Sequence, residues 1–161
     1  MTTKLLIAGD WREAAGGDTI PVIDPSDGAE YARIGRGGSA DIDRAVKAAR
    51  AALEGAWGRL SAVERGRLLV KLSHAIAARA EELARIEARD TGKPLKQARA
   101  DAAACARYFE FYGGAADKLH GQVIPFLDGY TVNLLREPHG VTGHIIPWNY
   151  PAQQYARTVA A

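Results

Sequence analysis

The chain has 161 residues, enough for one globular core, and its content of 47% hydrophobic and 25% charged residues is ordinary for such a protein. Lys and Arg number 21 against 19 Asp and Glu, and this net charge of +2 gives no field that would favour nucleic acid or an anionic membrane. The single cysteine excludes an internal disulfide framework, and no apolar run near the N-terminus is long enough for a signal peptide or a membrane span. We therefore expect a cytoplasmic protein.

Short strands are predicted at the start of the chain, at residues 4–8, 20–24 and 31–34. Glycine-containing turn signals separate them, at Gly9-Asp10, Gly16-Gly17 and residues 25–28. Small strands at this spacing predict a meander along one edge of a larger unit.

The glycine-rich segment 35–40 fits the dinucleotide-binding pattern Gly-x-Gly-x-x-Gly/Ala, between a predicted strand and a predicted helix. That fingerprint also requires a second strand after the helix, ending in an acidic residue that binds the ribose. Here the helix is followed by Gly55 to Gly58 and then by another helix. We therefore interpret the segment as a turn leading to Ser39 as N-cap, with Asp41 and Asp43 favoured by the helix dipole, and keep phosphate binding as the alternative.

Three amphipathic helices are predicted next, from apolar residues at helical spacing. The second opens with a capping box, Ser61 with Glu64, and continues through Ile86 until Gly92 and Pro94 end it. The third runs from Leu95 to Leu119. The apolar face of the first helix is formed by Ile42, Val46, Ala49, Leu53 and Trp57.

Cys105 lies on the apolar stripe of the third predicted helix. A reactive thiolate needs a helix N-terminus or a nearby cation, and neither lies within one turn of Cys105. We therefore predict a small buried hydrophobic residue. The four histidines have no zinc-ligand spacing, so no metal site is predicted.

Two extended stretches between Gln122 and Arg136 flank Asp128-Gly129, which is a strong signal for a β-hairpin. Its alternating apolar residues and unpaired edges favour pairing with another chain. The alternative is a hairpin that folds back on its own domain.

The segment 141–151 predicts a strand, a rigid turn and a helix start. Val141 to Ile146 is a short apolar run that fits a buried strand, and Pro147 ends it. Pro151 suits the first position of a helix. Asn149 is therefore held in a turn, where its amide can donate hydrogen bonds into a cleft beyond the strand end. The alternative is an asparagine that only completes the turn.

The same segment resembles a known family. Glu-Pro-His-Gly-Val at 137–141 followed by Ile-Ile-Pro-Trp-Asn-Tyr-Pro at 145–151 is similar to the signature of the aldehyde dehydrogenase superfamily. Further matches run in the family's order at residues 24–28, 64–69, 91–94 and 112–121, and cover essentially the whole chain.

The resemblance is to the opening portion of such an enzyme, and it implies an α/β fold. Its expected parts are the N-terminal strands and three amphipathic helices in residues 1–121, an oligomerisation-type hairpin in 122–137, and the first strand and helix start of the cofactor domain in 138–161.

The resemblance also implies a function, the oxidation of an aldehyde to a carboxylic acid with NAD or NADP. Asn149 would be the side-chain donor to the tetrahedral oxyanion. Gln153, Gln154 and Arg157 would face the substrate tunnel. The partners would be a small-molecule aldehyde and, through the hairpin 122–137, further copies of the chain, with no nucleic acid and no membrane. The cofactor-side segment would consist of Ile145, Ile146, Pro147, Trp148 and Asn149.

In the family, the cysteine nucleophile and the glutamate general base lie in sequence that these 161 residues do not contain. We therefore expect the chain alone to be inactive, because an oxyanion donor by itself performs no covalent chemistry. The alternatives are a non-catalytic truncated subunit or interaction module, and an incomplete gene fragment.

Overall fold

The computed structural model describes residues 3–161, which form six short strands and six helices. The strands are β1 (Leu5–Ile7), β2 (Asp10–Arg12), β3 (Thr19–Ile23), β4 (Glu30–Gly35), β5 (Gln122–Ile124) and β6 (Val132–Leu134). The helices are α1 (Ser39–Glu54), α2 (Ala56–Arg59), α3 (Ala62–Ala78), α4 (Ala80–Thr91), α5 (Leu95–Ala115) and α6 (Pro151–Val159). The predicted α/β class is confirmed, while the division at residues 121 and 137 stays a prediction.

The strands pair as three separate antiparallel hairpins, β1 with β2, β3 with β4 and β5 with β6. Strand β2 was not predicted, because its three residues are too few for a visible alternation. It follows a two-residue turn in which Ala8 and Gly9 both have positive φ, 56° and 85°, as the tightest hairpin turns require. The predicted hairpin around Asp128-Gly129 is confirmed, with Gln122 opposite Leu134.

The glycine-rich segment 35–40 is a capped turn, but its N-cap is Gly38 and the prediction of Ser39 is wrong. The buried carboxylate of Asp41 accepts hydrogen bonds from the backbone N–H groups of Gly38 at 3.0 Å and Ala15 at 3.1 Å. These bonds lower the pKa of Asp41. A fixed negative charge therefore occupies the start of α1, where a phosphate would have to bind, and this argues against the phosphate-binding alternative.

The second predicted helix is in fact two helices, because the chain leaves helical geometry at Arg79, with φ −114° and ψ 17°. The backbone N–H of Arg79 donates to Ile76, and its carbonyl accepts from Leu83, so the residue ends α3 and starts α4. The apolar periodicity continues across the break, which is why the sequence predicts one helix. Two other predicted boundaries are also wrong. Trp57, predicted on the first helix, lies in α2, and the third helix, predicted to reach Leu119, ends as α5 at Ala115.

Helix α5 is the centre of the helical part, and α3, α4 and α6 all pack on it. At the α3–α5 crossing, Gly66 and Gly113 are buried with their backbones in contact. Farther along the same crossing, the buried Ser73 hydroxyl donates to the Ala106 carbonyl at 2.7 Å. These two contacts fix the distance between the helices.

Helix α6 is held on α5 by an apolar cluster. Phe109 is fully buried there, and its ring centroid lies 6.1 Å from that of Tyr155 on α6. Cys105, Ala156 and Ala160 complete the buried set. Among the helices of residues 3–161, none has the length and apolar character needed to cross a membrane.

Candidate functional site

The segment before the turn does not form the predicted strand. Residues 141–146 have no strand partner within the described residues 3–161, and Ile145 is 98% exposed. An apolar run becomes a strand only when a neighbouring strand satisfies its backbone, and these residues offer none. The helix start is confirmed, because α6 begins at Pro151.

Asn149 lies in the turn between Trp148 and Tyr150 and is exposed. Within residues 3–161, no hydrogen bond engages its side chain, so both amide N–H groups are available to a ligand. Pro147 and Pro151 stand on either side and limit the backbone conformations that the turn can adopt.

A buried ionic cluster lies beneath this turn, formed by Glu87 of α4, Lys93 of the α4–α5 connection and Asp101 of α5. The Lys93 ammonium lies 2.5 Å from Glu87 Oε1 and 2.7 Å from Asp101 Oδ2. The side chain of Asp101 is 0% exposed and that of Glu87 5%. Gln97 donates to Asp101 Oδ1 at 3.0 Å, which satisfies a further acceptor. We call Glu87, Lys93 and Asp101 the lysine cluster.

The lysine cluster reaches the first turn of α6. The amide of Gln153 donates to Asp101 Oδ1 at 2.8 Å, and the backbone N–H of Ala152 donates to Glu87 Oε2 at 3.4 Å. The Lys93 ammonium also lies 4.3 Å from the centre of the Tyr150 ring. The Gln153 amide therefore has a partner within the chain, and its predicted placement towards a substrate tunnel stays a prediction.

Burial and the neighbouring charges shift the pKa values of the lysine cluster in opposite directions. Burial raises the pKa of Glu87, and the hydrogen bond from Lys93 offsets part of that rise. Burial also acts on Asp101, but the hydrogen bonds from Lys93 and Gln97 outweigh it and hold its pKa below the usual range. Burial alone would lower the pKa of Lys93, yet the bonds to Asp101 and Glu87 raise it. Lys93 therefore stays protonated and holds both acidic side chains.

Gln154 and Arg157 lie farther along α6. Arg157 Nε donates to the Tyr108 hydroxyl at 2.7 Å, and its guanidinium lies 5.2 Å from the centre of that ring. Gln154 is half-buried. Their placement towards a substrate stays a prediction.

Comparison with known proteins decides the family. The model of the aldehyde dehydrogenase family matches residues 11–161. The chain belongs to the aldehyde dehydrogenase family. It is 46% identical over 156 residues to aldehyde dehydrogenase family 2 member B4, mitochondrial, of Arabidopsis thaliana, with 96% of this chain and 29% of that protein covered.

Solved structures agree with this assignment to the aldehyde dehydrogenases. A Burkholderia cenocepacia protein, described as a candidate aldehyde dehydrogenase, is 64% identical with a TM-score of 0.94, over 98% of this chain and 33% of that one. PnpE, solved in complex with nicotinamide adenine dinucleotide, is 41% identical with a TM-score of 0.93, over 99% of this chain and 33% of its own. The chain therefore spans about a third of the length of these relatives.

The one cysteine of this aldehyde dehydrogenase chain is structural, as the sequence predicts. Cys105 is 4% exposed and packs in the cluster between α5 and α6. Burial, with a smaller contribution from the charge of Glu87, raises the pKa of Cys105 to about 11. A thiol that stays protonated at neutral pH and is closed off from solvent is a poor nucleophile.

We expect Cys105→Ser to lower the free energy of unfolding by about 1–3 kcal/mol, because a hydroxyl would be buried without a good partner. Cys105→Ala is the matched control, since it removes the sulfur without adding a polar group. Chemical denaturation measures both variants, and thiol labelling of the native chain should be slow until it unfolds. Rapid labelling of the native chain would contradict the structural role.

The residues of the lysine cluster were not identified from the sequence of this aldehyde dehydrogenase chain. Lys93 falls in the family match at residues 91–94, which assigns it no role. A signal was nevertheless present, because Glu87 lies four residues after Leu83 and Asp101 four before Cys105, on apolar helix faces. A charged residue on a buried face requires a partner.

Proposed function

We propose that this chain forms the oxyanion-binding part of an NAD(P)-dependent aldehyde dehydrogenase that oxidises an aldehyde to a carboxylic acid. The observation that carries the proposal is the exposed amide of Asn149, which no group in residues 3–161 engages, in a turn between two prolines. A rigid donor without a partner is the arrangement that stabilises a developing negative charge.

The chemistry assigns Asn149 one role. When a thiolate adds to the aldehyde carbonyl, the carbonyl oxygen takes up the electron pair of the broken π bond and becomes an alkoxide. The Asn149 amide donates a hydrogen bond to that oxygen and lowers the barrier to addition. A bound NAD or NADP would supply the hydride acceptor for oxidation of this alkoxide to a thioester, and hydrolysis of the thioester by water would give the acid and release the thiol. Because Cys105 is buried and protonated, the thiolate in this proposal comes from another part of the enzyme.

The residues just before Asn149 would form the cofactor side of the same cleft. Ile145 is exposed, Trp148 is 77% exposed, and Ile146 and Pro147 lie between them. An uncovered apolar strip of this kind fits one wall of a nicotinamide cleft, which is mostly apolar with a few polar groups. NAD and NADP are both compatible with these residues, none of which carries a charge.

The hairpin β5–β6 would join copies of the enzyme. Val123 and Leu135 are among its exposed apolar residues, and the aromatic rings of Phe126 and Tyr130 pack edge to face at its tip, 6.0 Å apart. Unpaired strand edges beside exposed apolar side chains favour association with a second sheet. The proposed partners are therefore further copies and a small-molecule aldehyde, in the cytoplasm.

A chimeric enzyme tests the proposal. Residues 1–161 would replace the matching segment of the Arabidopsis aldehyde dehydrogenase, and NAD(P)H formation would be followed with a panel of aldehydes. We expect aldehyde-dependent turnover, unchanged in Cys105→Ala. A chimera that folds and binds NAD but turns over no aldehyde would contradict the proposal and favour a non-catalytic interaction module.

A further inference from the structure

No hydrogen bond within residues 3–161 engages the exposed side chain of Asn149, so its position depends on what holds the neighbouring residues. On the C-terminal side, these are Tyr150 and the first turn of α6. No side chain caps α6 from within its own sequence. The first backbone N–H groups of a helix need acceptors from elsewhere.

Glu87 supplies such an acceptor from a different helix. Its Oε2 accepts from the Ala152 N–H, and its Oε1 is held by Lys93. The lysine cluster contains two acidic groups and one ammonium, so one negative charge remains when all are ionised. The Glu87 carboxyl lies at the positive end of the α6 dipole, which favours its ionised form.

Two further contacts fix the same turn. Gln153 donates to Asp101, which is completely buried and also bound to Lys93 and Gln97. The Lys93 ammonium lies over the ring of Tyr150, the residue next to Asn149. Three contacts therefore connect residues 150, 152 and 153 to the buried lysine cluster.

We propose that the lysine cluster is the positioning element for Asn149: Glu87, Lys93 and Asp101 hold the start of α6 and so set where the Asn149 amide stands. The proposal rests on the oxyanion role proposed above for Asn149. None of the three cluster residues contacts the substrate; they act through Asn149.

The first test needs no catalysis and uses the 161-residue chain. Hydrogen exchange followed by mass spectrometry would compare the chain with its Glu87→Gln and Gln153→Ala variants. We expect faster exchange in the first turn of α6, with the centre of α5 unchanged. Gln153→Ala removes one half-buried amide, so it keeps the fold even if Glu87→Gln does not. Unchanged exchange in α6 for Gln153→Ala would overturn the proposal.

The second test is a double-mutant cycle in the chimeric enzyme. A displaced donor should lower kcat by about 10- to 100-fold in Glu87→Gln, with a smaller loss in Gln153→Ala and little change in the Kd for the cofactor. In an Asn149→Ala background, the same substitutions should lower kcat little further, since the donor that they position is already gone. The matched control is Glu82→Gln, an exposed glutamate of the same helix, which should leave kcat unchanged.

The outcomes separate the two proposals. If Asn149→Ala has near-normal kcat, the oxyanion role itself is wrong. If Asn149→Ala loses activity but Gln153→Ala or Glu87→Gln lowers kcat equally in both backgrounds, the lysine cluster does not act through Asn149.

Discussion

Replacing Asn149 by alanine is expected to lower kcat by about two to three orders of magnitude in an enzyme that contains this chain. Alanine removes the amide donor of Asn149, while Pro147 and Pro151 limit the change in the backbone. The effect on cofactor affinity should be smaller, because in the proposed role the amide interacts with charge that develops only during the reaction. Steady-state kinetics and the Kd for NAD measure the two quantities separately.

Asn149→Asp is the stricter companion variant, since it keeps the size of the side chain. It places negative charge where the oxyanion is proposed to form. It should therefore lower kcat at least as much as Asn149→Ala does. If Asn149 only completes the turn, the expected result is different: a lower Tm, with kcat per folded molecule nearly unchanged. Near-normal kcat in Asn149→Ala would therefore exclude the oxyanion role.

The second large effect is expected at the α3–α5 crossing. A Cβ added at Gly66 would lie 2.4 Å from the backbone oxygen of Gly113, which no side-chain rotation can relieve. The helices would have to separate, and overpacking of this kind typically destabilises a protein by about 1–3 kcal/mol, at times more. The higher helix propensity of alanine offsets about 1 kcal/mol of that loss. We expect Gly66→Ala to be clearly less stable in chemical denaturation.

Gly114→Ala is the matched control, because Gly114 is exposed on the same crossing helix and has nothing within 4 Å of an added Cβ. It should raise the free energy of unfolding by up to about 1 kcal/mol through helix propensity alone. At Gly113, the added Cβ would lie 2.8 Å from the Gly66 oxygen, so Gly113→Ala should resemble Gly66→Ala. Equal effects at positions 113 and 114 would contradict the close-contact explanation.

Features set by local chemistry were predictable from the sequence. The capping box of Ser61 and Glu64, the left-handed Gly92 that ends α4, and the helix start at Pro151 all occur where the sequence predicts them. Each depends on a few neighbouring residues, so a short window contains the necessary information.

Features that depend on distant partners were missed. The apolar run at 141–146 resembles a strand, but a strand needs a neighbour, and none is present in the described residues. The break at Arg79 is invisible because amphipathic spacing continues across it.

At the candidate site, the motif around Asn149 was found from sequence, whereas the lysine cluster was not. Glu87, Lys93 and Asp101 come from three successive parts of the chain, and their mutual contacts exist only after α4 packs on α5. The hydrogen bond from Gln153 was not predicted for the same reason, since its partner Asp101 lies 52 residues earlier.

The sequence separations within the lysine cluster lead us to expect an order of folding. Lys93 lies six residues from Glu87 and eight from Asp101, so the cluster can form as soon as α4 and α5 meet. The bond from Ala152 to Glu87 spans 65 residues, and closing that loop is entropically more demanding. On the ribosome, α4 and α5 emerge before the segment that carries Asn149. We therefore expect the conformation of the Asn149 turn to be fixed late in folding, when α6 docks on a lysine cluster that α4 and α5 have already formed.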